Sequence, residues 1–214
     1  LTGNEMGVLL LDYICKMRAA RGEDLSRKVA VTTIVSSAMV DALAAEYGFE
    51  MRRCLTGFKY IGDIITSLSD AGEVDRFIFG FEESYGYLSG DHVRDKDAVN
   101  ASMLICQMAQ YYKLEGKNLV QAMRDLYEKY GYYKDAVKSI GLKGIEGQAK
   151  IQAIMDTLRN NTPTEVGGYR TVSARDYKLD TIKDMENGEV KPTGLPESNV
   201  LYYDLTDDAW LCVR

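Results

Sequence analysis

The sequence has no long run of hydrophobic residues and no excess of positive charge. No apolar stretch approaches the roughly 20 residues that a membrane-spanning helix needs, which argues against membrane insertion. The formal net charge is −6 at pH 7, so the phosphate backbone of a nucleic acid would meet an unfavourable overall field. We therefore expect neither a membrane nor a nucleic acid as a partner.

Cysteine and histidine are also scarce. The four cysteines, Cys15, Cys54, Cys106 and Cys212, are far apart, and none forms the close pair that is typical of a zinc site. This spacing favours free, mostly buried thiols in a reducing cytosol, so we expect a cytoplasmic protein. The single histidine, His92, lies in a polar loop, where we interpret it as a structural hydrogen-bonding group and not as a general base.

Helical and strand patterns alternate along the first part of the chain. The predicted elements are a helix over 6–17, a strand over 28–35, a helix ending near 48, a strand over 49–55, a helix over 61–68 ending around 72, a strand over 75–81 and a helix over 98–112. Ser36 or Ser37 is expected to cap the second helix. This order indicates an α/β domain whose sheet is covered by helices on both faces.

The pattern changes after residue 130. Asn118 is expected to cap a helix that ends before Gly131, and the glycine-rich and lysine-rich segment that follows is interpreted as a hinge. A helix with its buried face over 151–158 and strands over 168–176, 199–204 and 209–213 are predicted next. The pattern thus predicts a layered α/β domain, a hinge within 131–147 and a smaller α+β domain. The chain opens without an initiator methionine and stops directly after a predicted strand, so we expect further sequence on both sides.

The polar stretch from Phe79 to Ala98 carries most of the functional information. It holds adjacent carboxylates at Glu82 and Glu83, then Ser84, and further on two cations, Arg94 and Lys96. Carboxylates and a serine can bind sugar hydroxyls, and the cations can neutralise an anion, so the set suits a phosphorylated sugar. The alternative is that Glu-Glu-Ser caps a helix and that the charges form a solvated surface.

Three separated motifs resemble those of the α-D-phosphohexomutases, the phosphoglucomutase and phosphomannomutase group, in the order in which that family has them. They are TGFK at 56–59, FGFEESYGYL at 79–88 and DHVRDKDA at 91–98. The opening LTGNEMGVLLLDY is similar to the start of the family's third domain, and AWLCVR at the end is similar to the strand before its phosphate-binding loop. The resemblance covers almost the whole chain. It implies a three-layer α/β/α sandwich over 1–131 as domain three, a hinge over 132–140, and a smaller, truncated α+β domain over 141–214 as most of domain four. It also implies that domains one and two of the same protein are missing.

The resemblance implies a role for each matching residue. Glu82 and Ser84 would hold the sugar hydroxyls, and Lys59, after the Gly57 turn, would bind the sugar's phosphate or a nearby hydroxyl. Arg94 and Lys96 would meet phosphate or brace the loop, two alternatives that stay open. Arg214 matches the arginine that opens the family's phosphate loop.

The family transfers phosphate from an enzyme phosphoserine to a hexose monophosphate through a bisphosphorylated sugar. The resemblance therefore implies Mg²⁺ as cofactor, with its ligands upstream of Leu1, and glucose 1,6-bisphosphate as intermediate. Asp91, Asp95 and Asp97 lie among basic residues, and no metal ligand is assigned to them. No catalytic residue is assigned in this chain, which is expected to be inert alone.

Ser84 and Tyr85 are similar to the bacterial glucose-type sequences, so the implied reaction interconverts glucose 1-phosphate and glucose 6-phosphate. Three alternatives remain: a mutase for mannose or pentose phosphates, a non-catalytic module that binds sugar phosphates, and an unrelated α/β scaffold whose loop is merely polar.

Overall fold

The computed structural model describes all 214 residues, in two units that meet between Ala136 and Val137. Each unit has its own sheet and its own hydrophobic core. The boundaries at 131 and 141 that the sequence suggested for two domains stay a prediction. None of the helices has both the length and the apolar composition that crossing a lipid bilayer requires.

Helix α1 (Gly3–Ala20) begins with a capping box. The Glu5 N–H donates to Thr2 Oγ1 at 3.2 Å, and the Thr2 N–H donates to Glu5 Oε2 at 2.7 Å. These bonds satisfy two of the N–H groups that a helix start leaves without partners. The first predicted helix is confirmed.

The first sheet has three parallel strands and one antiparallel strand. Strand β1 (Val29–Thr33) pairs with β2 (Glu50–Cys54) and with β3 (Phe77–Glu82), and β4 (Gly86–Leu88) runs antiparallel to β3. The order is β2-β1-β3-β4. Because β1, β2 and β3 are parallel, the loops that follow them lie at one edge of the sheet.

Helices cover both faces of this sheet. They are α1 together with α2 (Met39–Tyr47), α4 (Ala98–Leu114) and α5 (Leu119–Tyr130) on one face, and α3 (Phe58–Asp70) on the other. A Cβ on Gly80 of β3 would lie 2.7 Å from Ile61 of α3, so the glycine permits the close packing of that helix. The predicted three-layer α/β/α architecture is confirmed.

The second unit is a smaller α+β structure. Its six strands are β5 (Glu165–Val166), β6 (Tyr169–Asp176), β7 (Thr181–Asp184), β8 (Val190–Lys191), β9 (Leu201–Leu205) and β10 (Trp210–Val213). The strands pair antiparallel in the order β10-β9-β6-β7-β8, with β5 beside β6. Helix α6 (Gly144–Asn160) places Met155 in the core against residues of β9.

Four expectations need correction. The cap of α2 is Ala38, which has no side-chain bond, because Ser36 instead bonds Thr33. The polar loop after β3 contains the short strand β4, and β5, β7 and β8 were not predicted because their two to four residues show too little alternation.

The fourth correction concerns the cysteines. All four thiols are free, but only Cys15 and Cys54 are buried, while Cys106 is exposed and Cys212 is partly exposed. Burial raises the pKa of the Cys15 and Cys54 thiols to about 12, which keeps them in the unreactive protonated form.

Candidate functional site

The predicted sugar loop and the predicted lysine turn meet at the carboxyl edge of the first sheet. Glu82 ends β3, and the turn at Thr56–Gly57 follows β2. In parallel sheets this edge is where ligands bind, because the loops after neighbouring strands converge there. The structure thus brings together two motifs that are far apart in the sequence.

A short hydrogen bond joins the two motifs. The Gly57 N–H donates to Glu82 Oε1 at 2.7 Å, and Glu82 is only 7% exposed. Gly57 has a φ of 120°, which a residue with a side chain rarely adopts, and it is the N-cap of α3. The carboxylate therefore binds the peptide from which α3 begins.

Lys59 lies in the first turn of α3 and is exposed. Its Nζ lies 4.7 Å from the centroid of the Tyr60 ring. The N-cap residue of α3 is a glycine without a side chain, and the Glu82 carboxylate accepts its N–H, so Glu82 faces the positive end of the helix dipole. Lys59 supplies an exposed positive charge in the same turn, which can attract an anion.

Gly86 permits close packing beside the Glu82 carboxylate. A Cβ at Gly86 would lie 3.2 Å from Glu82 Oε2, 3.2 Å from the Phe58 ring and 3.3 Å from the side chain of Lys96. These distances are tighter than ordinary van der Waals contact. The missing side chain thus lets a carboxylate oxygen, an aromatic ring and a lysine side chain pack against the Gly86 backbone.

Ser84 and Tyr85 form the exposed tip of the sugar loop. Tyr85 is 64% exposed and has a φ of 65°, an unfavourable backbone angle for a residue with a side chain. The loop backbone packs closely against the start of α1, because a Cβ on Gly3 would lie 1.9 Å from the Glu83 carbonyl oxygen. This close approach fixes the tip relative to the start of α1.

Arg94 and Lys96 bond mainly within their own loop. Arg94 Nη1 donates to the carbonyl oxygen of Asp91 at 2.6 Å, and Lys96 Nζ lies 2.9 Å from Asp95 Oδ1. The Lys96 hydrogen bond lowers the pKa of the Asp95 carboxyl below its ordinary value. Lys96 Nζ also lies 5.8 Å from the centroid of the Phe58 ring, so Lys96 reaches the first residue of α3.

His92 bonds Asp97. The distance from His92 Nε2 to Asp97 Oδ2 is 2.9 Å, and the other oxygen of Asp97 accepts from two N–H groups at the start of α4. The His92 bond contributes most to lowering the pKa of Asp97. The Asp95 carboxylate bonds Lys96, and the Asp97 carboxylate bonds His92 and caps α4. No group of three or more His, Cys, Asp or Glu side chains is placed to hold a metal ion.

Sequence reasoning missed a buried polar group in the loop between β1 and α2. Thr33 Oγ1 donates to Glu83 Oε2 at 3.3 Å and lies 3.0 Å from Ser36 Oγ. Because the Thr33 hydroxyl has one hydrogen, Ser36 must donate to Thr33 when Thr33 donates to Glu83. The group links the second carboxylate of the sugar loop to β1. The sequence signal that could have indicated this group is the presence of two hydroxyl pairs, Thr32-Thr33 and Ser36-Ser37, at the end of a predicted strand.

Asp135 extends this polar region on its other side. Burial raises the pKa of Asp135 above its ordinary value, and hydrogen bonds from the Ser37 and Asn4 side chains partly offset that effect. The Ser37 N–H also donates to Asn4 Oδ1 at 3.2 Å. The segment before the second unit is therefore tied to α1 and to the β1–α2 loop.

Arg214 lies in the second unit, directly after β10, and is exposed. Its place in a phosphate site stays a prediction.

A family model described as phosphoglucomutase/phosphomannomutase, alpha/beta/alpha domain III, matches residues 2–130. The phosphoglucomutase of Staphylococcus aureus (strain bovine RF122 / ET3-1) is 37% identical over 212 residues, which are 99% of this chain and 37% of that protein. The phosphoglucomutase of Staphylococcus epidermidis (strain ATCC 12228 / FDA PCI 1200) is 37% identical over 199 residues, 93% of this chain and 35% of that protein. The chain thus spans little more than a third of these curated relatives.

Two solved structures have a similar fold. Parafusin, an exocytosis-sensitive phosphoprotein and phosphoglucomutase from Paramecium, in its open form, has a TM-score of 0.60 at 18% identity, over 100% of this chain and 34% of that one. A putative phosphomannomutase from Thermus thermophilus has a TM-score of 0.54 at 15% identity, over 99% of this chain and 36% of that one. At these identities the likeness concerns the fold alone.

Proposed function

The chain belongs to the phosphoglucomutase and phosphomannomutase family, and from this premise we propose that it provides hexose-phosphate recognition in an enzyme that interconverts glucose 1-phosphate and glucose 6-phosphate. The observation that carries the proposal is the 2.7 Å bond between the Gly57 N–H and Glu82 Oε1. It places an acid that can hold hydroxyls and a lysine that can hold phosphate on one edge of one sheet. The named phosphoglucomutases among the relatives support the choice of glucose.

Glu82 and Ser84 are proposed to hold two hydroxyls of the sugar. One oxygen of Glu82 binds Gly57, and the other lies next to Gly86. A carboxylate oxygen accepts from a hydroxyl, and the exposed Ser84 can both donate and accept. Because adjacent ring hydroxyls present similar donors when the sugar is turned round, one fixed pair of groups can hold either orientation.

Lys59 is proposed to meet the phosphate group or a nearby hydroxyl as a compact cation. Its exposure and its place in the first turn of α3 support this role. Lys96 is the second candidate, because its side chain packs next to Gly86 and Glu82, whereas the bonds of Arg94 to its own loop support a bracing role. Gly57 contributes the turn that positions Lys59.

The reaction is proposed to use a phosphoserine, Mg²⁺ and glucose 1,6-bisphosphate, as the family resemblance implies. None of the carboxylates near this site is arranged to hold a metal ion, because Asp95 bonds Lys96 and Asp97 caps α4. The serine and the metal ligands are therefore proposed to lie in other parts of a longer protein, in domains one and two. Arg214 is proposed to contact phosphate.

The choice of sugar is tested with the full-length protein. We expect kcat/KM for glucose 1-phosphate to exceed the values for mannose 1-phosphate and ribose 1-phosphate. A mannose value higher by about tenfold, a difference of 1.4 kcal/mol in transition-state stabilisation, would assign the enzyme to mannose. Saturable binding of glucose 6-phosphate without turnover of any of the sugars would instead identify a non-catalytic binding module.

A further inference from the structure

Glu82 is unusual among the groups of the site because it is buried and is bonded to backbone. Its Oε1 accepts the Gly57 N–H across 25 residues of sequence, and this bond joins the sugar loop to the turn before α3. A carboxylate whose only task was to hold sugar hydroxyls would not need this bond. The contact therefore calls for a second role.

Gly57 determines where α3 begins. The Gly57 carbonyl oxygen accepts the Tyr60 N–H at 3.0 Å, which closes the first turn of the helix, and Lys59 lies inside that turn. Glycine has no Cβ and can adopt many other backbone angles besides the φ of 120° seen at Gly57. The hydrogen bond from the Gly57 N–H to the Glu82 carboxylate favours the observed conformation.

We infer that Glu82 is a positioning residue for Lys59: by binding the Gly57 peptide it sets the start of α3, so that the groups for hydroxyls and for phosphate are held at a fixed separation. This inference rests on the proposed function, because it takes Lys59 as a contact of the phosphate group. In a reaction that binds the sugar in two orientations, a fixed separation between the two contacts lets one site serve both.

An electrostatic role and a positioning role of Glu82 predict opposite effects of removing its carboxylate. Electrostatics alone predicts that removing a negative group at the start of α3 strengthens the binding of an anion. If Glu82 positions Lys59, its removal weakens anion binding, because the Gly57 N–H loses its acceptor and the turn loses its fixed conformation. Whether the affinity for an anion rises or falls therefore distinguishes the electrostatic role from the positioning role.

The experiment titrates inorganic phosphate at constant ionic strength into the ¹⁵N-labelled 214-residue chain and its variants, and follows the amide signals of Gly57 and Lys59. We expect Glu82→Ala to weaken phosphate binding by about fivefold to tenfold and to accelerate hydrogen exchange at the Gly57 amide, from the loss of a charge-assisted bond. Glu82→Gln keeps an oxygen that can accept from Gly57, so it should bind phosphate at least as tightly as the parent. Glu83→Ala is the matched control, because Glu83 carries the same charge and bonds Thr33 instead; it should not weaken phosphate binding.

Gly57→Ala approaches the same contact from the other side and keeps both carboxylates. Because an alanine rarely adopts a φ of 120°, we expect it to weaken phosphate binding as Glu82→Ala does, and it remains informative if Glu82→Ala does not fold. Unchanged or tighter phosphate binding in Gly57→Ala, or in a folded Glu82→Ala, would overturn the inference while the proposed function stands. Lys59→Ala tests whether Lys59 binds phosphate at all. If the parent does not bind phosphate, or if Lys59→Ala binds it as tightly as the parent, Lys59 is not a phosphate contact, and the inference fails as well.

Discussion

At the scale of single residues, the site depends on a few side chains whose partners the structure specifies. Glu82 is buried, with one oxygen bonded to a backbone N–H and the other next to Gly86, whereas Ser84 is exposed at the loop tip. The sequence suggested the same task for both. The structure predicts a larger effect of losing Glu82, because its carboxylate also accepts the Gly57 N–H.

We expect Glu82→Ala and Ser84→Ala to lower kcat/KM for glucose 1-phosphate in the full-length enzyme. Each loses hydrogen bonds that orient the reacting sugar, so the expected reduction is about tenfold to a thousandfold, with Glu82→Ala the larger. Initial rates of glucose 6-phosphate formation measure it. Ser102→Ala, an exposed serine on α4, serves as the control. Rates equal to the parent in both variants would remove these residues from the site.

The half-buried Asp135 carboxyl leads to a prediction about how the stability of the fold depends on pH. Its pKa is raised above the ordinary value of 3.8, so the folded state binds this proton more tightly than the unfolded state does. This group therefore destabilises the folded state as pH rises through the window from 3.8 to the raised value. Asp135→Asn keeps the size and an acceptor oxygen for Ser37 and Asn4.

We expect Asp135→Asn to be more stable than the parent at pH 7 by less than about 1 kcal/mol, since solvent screens a partly exposed group. The difference should disappear in strong acid. Urea unfolding of both proteins at several pH values gives the free energies, and taking their difference removes the common effect of neighbours such as Glu5 and Arg53. Asp70→Asn, an exposed carboxylate on α3, should not show the trend. A parent more stable than Asp135→Asn at pH 7 would contradict this reasoning.

At the scale of secondary-structure elements, local sequence specified the helix ends well where a capping box is present. Helix α5 begins as predicted at Asn118: the Gln121 N–H donates to Asn118 Oδ1 at 2.9 Å, and the Asn118 N–H donates to Gln121 Oε1 at 2.8 Å. For α2 the prediction failed, because Ser36 bonds Thr33 in the neighbouring strand. Local propensity therefore predicts a cap only where no tertiary partner competes for the side chain.

We expect Asn118→Ala to lower the free energy of unfolding of the first unit by about 1 kcal/mol, because it removes one partner of the capping box. Asn118→Asp keeps an acceptor oxygen at the helix start and should lose little. Thermal and urea unfolding followed by circular dichroism measure both variants. An Asn118→Ala protein as stable as the parent would show that packing of Met123 and Leu126 alone holds α5.

At the scale of the whole molecule, the chain has two units with separate cores, and the residues proposed to bind sugar all lie in the first. The proposed nucleophilic serine and metal ligands are not among its residues. We therefore expect the 214-residue chain to show no mutase turnover in an assay that couples glucose 6-phosphate formation to a dehydrogenase. The full-length protein at the same concentration is the positive control. Clear turnover by the chain alone would show that the reaction does not need groups from other domains.

The sequence by itself determined the alternation of helices and strands, the two-part architecture and the two motifs TGFK and FGFEESYGYL, because these depend on residue periodicity and on the local chemistry of neighbouring residues. Only the tertiary structure decided that Gly57 bonds Glu82 and that Thr33 bonds Glu83. The physical reason is that contacts between loops depend on strand order and on the direction of each side chain at the sheet edge. Neither is encoded in the spacing of residues along the chain.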